Sequence, residues 1–174
     1  MKLTWFGGTA LRVYVGGEIV VIDPETAAAG VETRELLSGA DRVLRLAEDL
    51  PVVEASAWRP RPVGRAIDEP VATEIASIGP ATVLISAAGD PPLLVSNALE
   101  LPRLGRWADA AVFVLFGHRG TLVGEAILAL DLARPKHLLL AADETIVDDF
   151  VSRIADRQRD MSFSSLEPGL ALEV

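Results

Sequence analysis

Very few side chains in this sequence could ligate a transition metal through nitrogen or sulfur. The 174 residues include no cysteine and only two histidines, His118 and His137. Thiolate ligands and disulfides are therefore excluded, and a nitrogen-rich metal site lacks the imidazoles that it would need. A metal site in this chain would have to rely on oxygen ligands.

His118 is the histidine with the more suggestive surroundings. In the stretch FVLFGHRGTLVGEA it follows a predicted buried strand and precedes a predicted helix. Free amides and the helix dipole at such a turn can face an anion, and imidazole suits acid–base chemistry near neutral pH. The stretch has no phosphate-loop lysine, however, and two glycines at this spacing are a weak signal. A surface histidine at a strand–helix turn is the alternative, and His137, beside Lys136, is predicted to be structural.

Adjacent carboxylates could hold a hard cation or perform general acid–base chemistry. Examples are Glu48-Asp49, Asp143-Glu144 and Asp148-Asp149. Neighbouring residues of a strand point in opposite directions, so an adjacent pair rarely forms one site. The last pair falls in the first turn of a predicted helix, where negative charge is favourable in any case. Structural roles are the simpler prediction for these pairs.

Asp23 ends a predicted strand in an Asp-Pro dipeptide. An aspartate in that position commonly accepts hydrogen bonds from backbone amides of its own turn, which explains it without a ligand. No serine lies in a Gly-x-Ser-x-Gly elbow, so a serine hydrolase of that type is not predicted.

Length and composition predict a single domain over residues 1–174 with a substantial core. Half of the residues are apolar and the mean hydropathy is +0.34. The longest apolar run, Ala110–Phe116, is too short to cross a bilayer, and no signal-peptide core precedes Gly7-Gly8. We therefore expect a cytoplasmic protein with no membrane partner.

The formal charge of −9 argues against nucleic acid as a partner, because a phosphate backbone is bound by clustered cations. Arg59, Arg61 and Arg65 are close in sequence, but they stand among prolines. That arrangement is typical of a solvated loop.

Short β-branched or aromatic runs predict strands in the first half of the chain. They are Leu3–Phe6, Leu11–Val15, Ile19–Ile22, Arg42–Leu46, Val52–Ala57, Val71–Ile78, Thr82–Ala87 and Leu93–Ser96. Gly16-Gly17 is a strong hairpin signal, and Thr33 with Gly39 brackets a short helix. Residues 58–70 are rich in proline and predict a loop.

The second half alternates strands with helices. Buried strands are predicted at Ala110–Phe116 and His137–Ala141, and helices at Leu122–Arg134 and from Ile146 to Ala155, with Thr145 as N-cap. Two closing strands are predicted at Ser162–Leu166 and Leu170–Val174. A β-rich first half followed by this alternation predicts a layered α/β domain.

In this order the elements resemble the metallo-β-lactamase-fold hydrolases, in particular the compact branch that contains the L-ascorbate-6-phosphate lactonase-like proteins. The opening KLTWFGGTALRVYVGGEIVVIDP is similar to that branch's strand, G-H-S/A turn, strand, G-G hairpin and strand ending in D-P. The segments GADRVLRLAEDLP, PLLVSNA, PKHLLLAADET and SLEPGLALEV resemble its later motifs in the same order. The resemblance implies a four-layer αββα sandwich.

The same resemblance implies that the family's zinc ligands are absent from this chain. The histidine that follows the family's first glycine is replaced by Gly8. The positions that match the family's metal ligands are Ala47, Asp49, Pro51, Val52, Asn97 and either Ala141 or Ala142. Without a metal to lower the pKa of water, the family's hydroxide mechanism has no nucleophile.

The sequence therefore predicts a metallo-β-lactamase-fold protein without zinc or another cofactor, serving small-molecule binding or assembly. Its vestigial cleft is expected to be lined by Asp23, Asp49, Asn97, His118, Ala141 and Asp143. The alternative is a metal-dependent hydrolase, lactonase- or phosphoesterase-like, with an oxygen-rich site rebuilt from the same polar residues.

A homodimer is also expected. A short αββα sandwich has little structure with which to cover its own outer layers, and half of this chain is apolar. Trp58, Trp107, Leu122 and Val123 are predicted to lie on the surface, where apolar patches commonly mark contacts. Two-fold pairing is the commonest way to cover such a patch.

Overall fold

The computed structural model describes residues 1–60, 73–98, 100–117, 121–154 and 162–174. Within these ranges the chain forms two β-sheets, three α-helices and two 3-10 helices. His118, Arg61, Arg65, the start of the strand predicted at Val71 and the last residue of the helix predicted to Ala155 lie outside the described residues.

The first sheet contains the two ends of the chain. Its strands are β1 Lys2–Trp5, β2 Leu11–Val15, β3 Glu18–Ile22, β4 Arg42–Leu44 and β11 Ala171–Glu173, in the order β11-β1-β2-β3-β4. All neighbours are antiparallel except β3 and β4, which are parallel. The predicted β2–β3 hairpin is confirmed, since Gly16 and Gly17 both adopt positive φ, at 58° and 85°.

The second sheet contains the longer middle of the chain. Its strands are β5 Glu74–Gly79, β6 Thr82–Ser86, β7 Leu93–Ser96, β8 Val112–Phe116, β9 His137–Ala141 and β10 Ser162–Ser165. The strands stand side by side in reverse sequence order, from β10 to β5. β7, β8, β9 and β10 run parallel to one another, so their carboxyl ends meet at one edge of the sandwich.

The main core lies between the two sheets and follows the alternation of each strand. In β2, Leu11, Val13 and Val15 are fully buried, whereas Arg12 and Tyr14 point away from the core. The opposing surface is formed by apolar side chains of the second sheet, among them Val83, Ile85, Leu93, Val95, Val112 and Val114.

The helix layers of the sandwich are unequal. α2 Leu122–Leu132 and α3 Glu144–Ile154 both pack on the outer face of the second sheet, where Ala126, Ala129 and Phe150 contact its apolar side chains. Among the described residues, helical structure on the side of the first sheet amounts to the single turn α1 Thr33–Leu36, which Arg12 contacts, and a 3-10 turn at Pro24–Thr26 after β3. The predicted αββα sandwich is confirmed, with one helical layer reduced to these short turns.

The strand predicted at Val52–Ala57 is wrong. Only an isolated bridge joins Val52 to Ser77, and Val52 is 81% exposed. The segment is held by a tertiary contact that its own sequence does not reveal: the Trp107 Nε1 donates to the Ala55 carbonyl at 2.7 Å. Trp58 packs edge-on against Trp107, with ring centroids 5.2 Å apart.

The surface position predicted for four apolar side chains is also wrong. Trp58, Trp107, Leu122 and Val123 are all buried in the second core, between the second sheet and its covering helices. Large apolar side chains that are exposed instead include Tyr14, Leu128 and Leu170.

α3 begins one residue earlier than its predicted cap. The Asp143 carbonyl accepts hydrogen bonds from the amides of Ile146 and Val147, so Asp143 occupies the N-cap position and Thr145 lies inside the helix. Asp148 and Asp149 consequently lie in mid-helix, where Asp149 pairs with Arg153 one turn later.

No helix in the described ranges has both the length and the apolar character needed to span a membrane.

Candidate functional site

A cleft of about 650 Å³ opens where the carboxyl ends of β7, β8 and β9 meet the β1–β2 turn. Because these three strands are parallel, the residues that follow them converge at the same edge. The cleft is lined by Trp5, Gly8, Thr9, Thr26, Asn97, Phe116, Gly117, Ala141, Ala142, Asp143 and Ile146.

One part of the lining is apolar and rigidly packed. Trp5, Phe116, Ala141 and Ile146 are each buried, and they belong to the ends of β1, β8, β9 and the first turn of α3. The indole Nε1 of Trp5 donates to the Gly8 carbonyl at 3.0 Å, which satisfies its polar group. This wall can pack against the apolar part of a ligand.

The other part of the lining is polar and open to solvent. Asn97 and Asp143 have exposed side chains, and the hydroxyls of Thr9 and Thr26 lie at the opposite side of the cleft. Asp143 is the single ionisable side chain among the described lining residues. These groups offer hydrogen-bond donors and acceptors but little charge.

Asp23 ties together three segments beside the cleft. Its Oδ2 accepts from the Thr9 hydroxyl at 2.7 Å, and its Oδ1 accepts from the Leu46 amide at 3.0 Å. Its carbonyl accepts from the Thr26 hydroxyl at 2.9 Å, and that hydroxyl oxygen accepts from the Thr9 amide at 3.0 Å. The Asp23 backbone is left-handed, with φ 44°, so the turn depends on these bonds to hold it. We call Thr9, Asp23, Thr26 and Leu46 the Asp23 cluster.

Gly8 allows the β1–β2 turn to lie directly on residue 26. A Cβ atom added at Gly8 would meet the Thr26 carbonyl oxygen at 2.4 Å, and φ is +53°. No side chain fits at this position unless the turn moves. The family that this sequence resembles has a histidine at this position, and here the Thr26 backbone fills the space that such a side chain would need.

Three of the residues predicted to line the cleft are brought together there: Asn97, Ala141 and Asp143. Asp23 lies behind Thr9 and is half-buried, with its carboxylate engaged in the Asp23 cluster. Asp49 is exposed on the loop after β4 and is not among the lining residues. His118 lies outside the described residues, although its neighbour Gly117 lines the cleft.

The positions that match the family's histidine motif do not line this cleft. Ala47, Asp49, Pro51 and Val52 are all exposed, and none of them lines it. Ala141 and Ala142, which match the late histidine, do line it.

The described donors do not fit a zinc site of the usual kind. Such a site needs imidazole, thiolate or carboxylate ligands converging in a tetrahedron, whereas the cleft offers one free carboxylate and one amide. Throughout the part of the chain that the structure describes, no three His, Cys, Asp or Glu side chains form a metal-binding group.

Two further ionisable groups have structural partners. The Arg45 guanidinium hydrogen-bonds Glu25 and lowers the pKa of that carboxyl, which links the ends of β3 and β4 near the cleft. Burial, with a smaller effect from Lys136, lowers the pKa of His137, whose Nε2 lies 3.0 Å from the Ser164 hydroxyl on β10.

Several lining residues were not predicted from the sequence. Thr9 and Thr26 are 17 positions apart and meet only because Gly8 lets the turn approach. Trp5 and Phe116 are buried like ordinary core side chains, Trp5 in an alternating strand and Phe116 in a strand buried throughout. Their position at strand ends was the only sign that they could line a cleft.

One solved structure is similar over almost the whole chain. It is that of Igni18, described as a novel metallo hydrolase from the hyperthermophilic archaeon Ignicoccus hospitalis, with a TM-score of 0.59 and 16% sequence identity. The similarity covers 99% of this chain and 98% of that one. No model of a known protein family matches the sequence, and no curated protein does. At this identity the likeness shows the fold, a metallo-β-lactamase-like sandwich.

Proposed function

We propose that this protein is a metallo-hydrolase-fold protein that binds a small molecule in its cleft without a zinc ion at the family's position. The observation that carries the proposal is the composition of the cleft, which has a single ionisable side chain, Asp143, among its described lining residues. A hydrolytic zinc site of this fold would need several such ligands.

The chemistry of the lining favours a mostly neutral ligand of mixed polarity. Trp5, Phe116 and Ile146 provide apolar surface, and the Asn97 amide can donate to and accept from polar groups. The hydrogens of the Thr9 and Thr26 hydroxyls bind Asp23, so these two groups can only accept. A volume of about 650 Å³ is within the range of small-molecule sites, which combine apolar walls with a few placed polar groups.

The alternative is a metal-dependent hydrolase with a rebuilt oxygen-rich site. Asn97 and Asp143 support it, because an amide and a carboxylate share the cleft. Asp23 supports it less, because both of its carboxylate oxygens already accept hydrogen bonds within the Asp23 cluster.

A test with two arms separates the two functions. Trp5 is the one tryptophan at the cleft, since Trp58 and Trp107 pack together in the other core. Titration of neutral small molecules should therefore change tryptophan fluorescence, and Trp5→Phe should remove that change. In the second arm, zinc or manganese is added to chelator-treated protein and the melting temperature is measured.

We expect ligand-dependent fluorescence and a melting temperature that metal leaves nearly unchanged. A metal present at 100 times its dissociation constant would stabilise the fold by about 2.7 kcal/mol. A saturable metal shift with turnover of an ester, lactone or phosphoester, both lost in Asp143→Asn, would favour the hydrolase instead. If small molecules leave the fluorescence unchanged and metal leaves the melting temperature unchanged, both functions are contradicted.

A further inference from the structure

A second, larger concavity lies on the opposite side of the first sheet from the core. Its volume is about 1090 Å³, and its floor is formed by the outward side chains of β1, β2 and β11. In an αββα sandwich a helical layer covers this face, but here α1 reaches only the part near Arg12. The Arg12 guanidinium donates to the carbonyls of Leu36 and Ser38 at 2.6 and 2.7 Å.

The strand register arranges this face in rows. Glu173, Lys2, Tyr14 and Ile19 are direct neighbours across β11, β1, β2 and β3. Ala171, Thr4 and Arg12 form the next row. Tyr14 lies between the charged and the apolar end of its row, and 52% of its surface is exposed. We call this surface, lined by Lys2, Thr4, Arg12, Tyr14, Ile19, Glu35 and Glu173, the outer face.

The charges on the outer face are balanced and mostly unpaired. Two cations, Lys2 and Arg12, stand beside two carboxylates, Glu35 and Glu173. Lys2, Glu35 and Glu173 make no side-chain ion pair with any residue in the described ranges, and Arg12 bonds only to neutral carbonyls. A single-sign partner would meet repulsion from half of these groups.

We propose that two copies of this chain pair through the outer face, around a two-fold axis between β1 and β11 that sets Lys2 of each copy opposite Glu173 of the other. A two-fold contact presents the same surface twice, so an unpaired cation on one copy can meet an unpaired carboxylate on the other. Elsewhere the copies repel each other because each has a net charge of −9, which leaves a locally balanced face as the favourable place of approach. Tyr14 is the neighbour of Lys2 on β2 and flanks this axis.

The first experiment measures the mass of the full chain by light scattering as concentration rises. Wild type should approach twice 18.5 kDa. Tyr14→Arg should raise the dimer dissociation constant by about tenfold or more, because it adds a cation beside Lys2 and removes the charge balance of the contact. Leu128→Arg is the matched control: Leu128 is also 52% exposed but lies on α2, on the far side of the sandwich.

The second experiment tests the charge pattern. Lys2→Glu makes this end of the row acidic and Glu173→Lys makes it basic, so each variant alone should dimerise more weakly than wild type. A mixture of the two should form heterodimers, because the acidic face of one then meets the basic face of the other. Melting curves of each variant verify that it is folded.

A wild type that stays at 18.5 kDa would overturn the proposal. Dimers that survive Tyr14→Arg but are lost in Leu128→Arg would place the contact on α2 and overturn it as well. Failure of the two charge variants to associate preferentially with each other would exclude pairing by complementary charge.

Discussion

At the scale of single residues, the space beside Gly8 decides how the cleft is built. Its Cβ position is occupied by the Thr26 carbonyl, so the turn, the end of β3 and the cleft wall are in contact. Such contacts are invisible in a one-dimensional pattern, where Gly7-Gly8 reads only as a turn between strands. Position 8 needs glycine for two reasons: its φ is positive, and the Thr26 carbonyl leaves no space for a Cβ atom.

Gly8→Ala should destabilise the fold more than Gly17→Ala. Both glycines have positive φ, which costs an alanine about 1 kcal/mol. Only Gly8 adds a clash, for which a total loss of about 3 kcal/mol is expected, whereas a Cβ at Gly17 meets nothing within 4 Å. Urea denaturation of the two variants measures the difference. Equal losses would mean that the turn relaxes away from Thr26 freely.

Asp23→Asn should cost about 1–3 kcal/mol of unfolding free energy. The Asp23 carboxylate accepts from two donors on different segments, and an amide can accept at one oxygen only, turning its NH₂ group toward the other donor. Asp49→Asn is the control, since that side chain is exposed, and it should be nearly neutral. Comparable effects of the two substitutions would argue against a structural role for the Asp23 cluster.

At the scale of elements, the junction between β9 and β10 contains the described histidine. His137 opens β9, stands opposite Ser162 in the register, and contacts the hydroxyl of Ser164. β10 is the edge strand of its sheet and has no partner strand on its other side among the described elements. Among the described strands, β10 is therefore joined to the sheet through its pairing with β9 alone.

The free energy of unfolding should decrease as pH falls from about 7 to 5.5. Burial, and then Lys136, lower the pKa of His137 below its ordinary value of 6.5, so the unfolded chain binds a proton that the folded chain resists. The contribution of neutral His137 to the free energy of unfolding is fully present above pH 6.5. It is lost as pH falls from 6.5 through the lower pKa of the folded state. His137→Gln should reduce the slope in this window, which lies above the range of the carboxylates. An unchanged slope would exclude His137 as its source.

At the scale of the whole molecule, the order and types of the elements were predictable because each has its own period. β2, β7 and β9 have the predicted bounds, since their alternating or continuous apolar runs end close to Gly16, Asn97 and Asp143. The segment after β4 was not predictable in the same way. Its place is set by Trp107, 52 positions beyond Ala55, and no local pattern records that contact.

The cleft was predictable only where strand topology determines it. Asn97 follows β7, Ala141 ends β9 and Asp143 comes two residues later, and because β7 and β9 are both parallel to β8 these residues converge. Thr9 and Thr26 converge through turns, and Asp49 lies on an exposed loop, where no strand period determines its direction. The unequal helix layers were likewise not predicted, because the αββα sandwich that the resemblance implies has helices on both outer faces, whereas α2 and α3 both cover the second sheet.

The Asp23 cluster has a consequence for the thermodynamics of ligand binding. It joins the β1–β2 turn, the end of β3 and the start of the loop after β4 through bonds made entirely within the chain. A ligand that enters the cleft therefore meets this wall already assembled and does not have to offset the entropy lost when loops become ordered. Binding then costs the ligand its own freedom but requires no ordering of this wall, so a contact with the wall contributes more to affinity than the same contact with a mobile loop would.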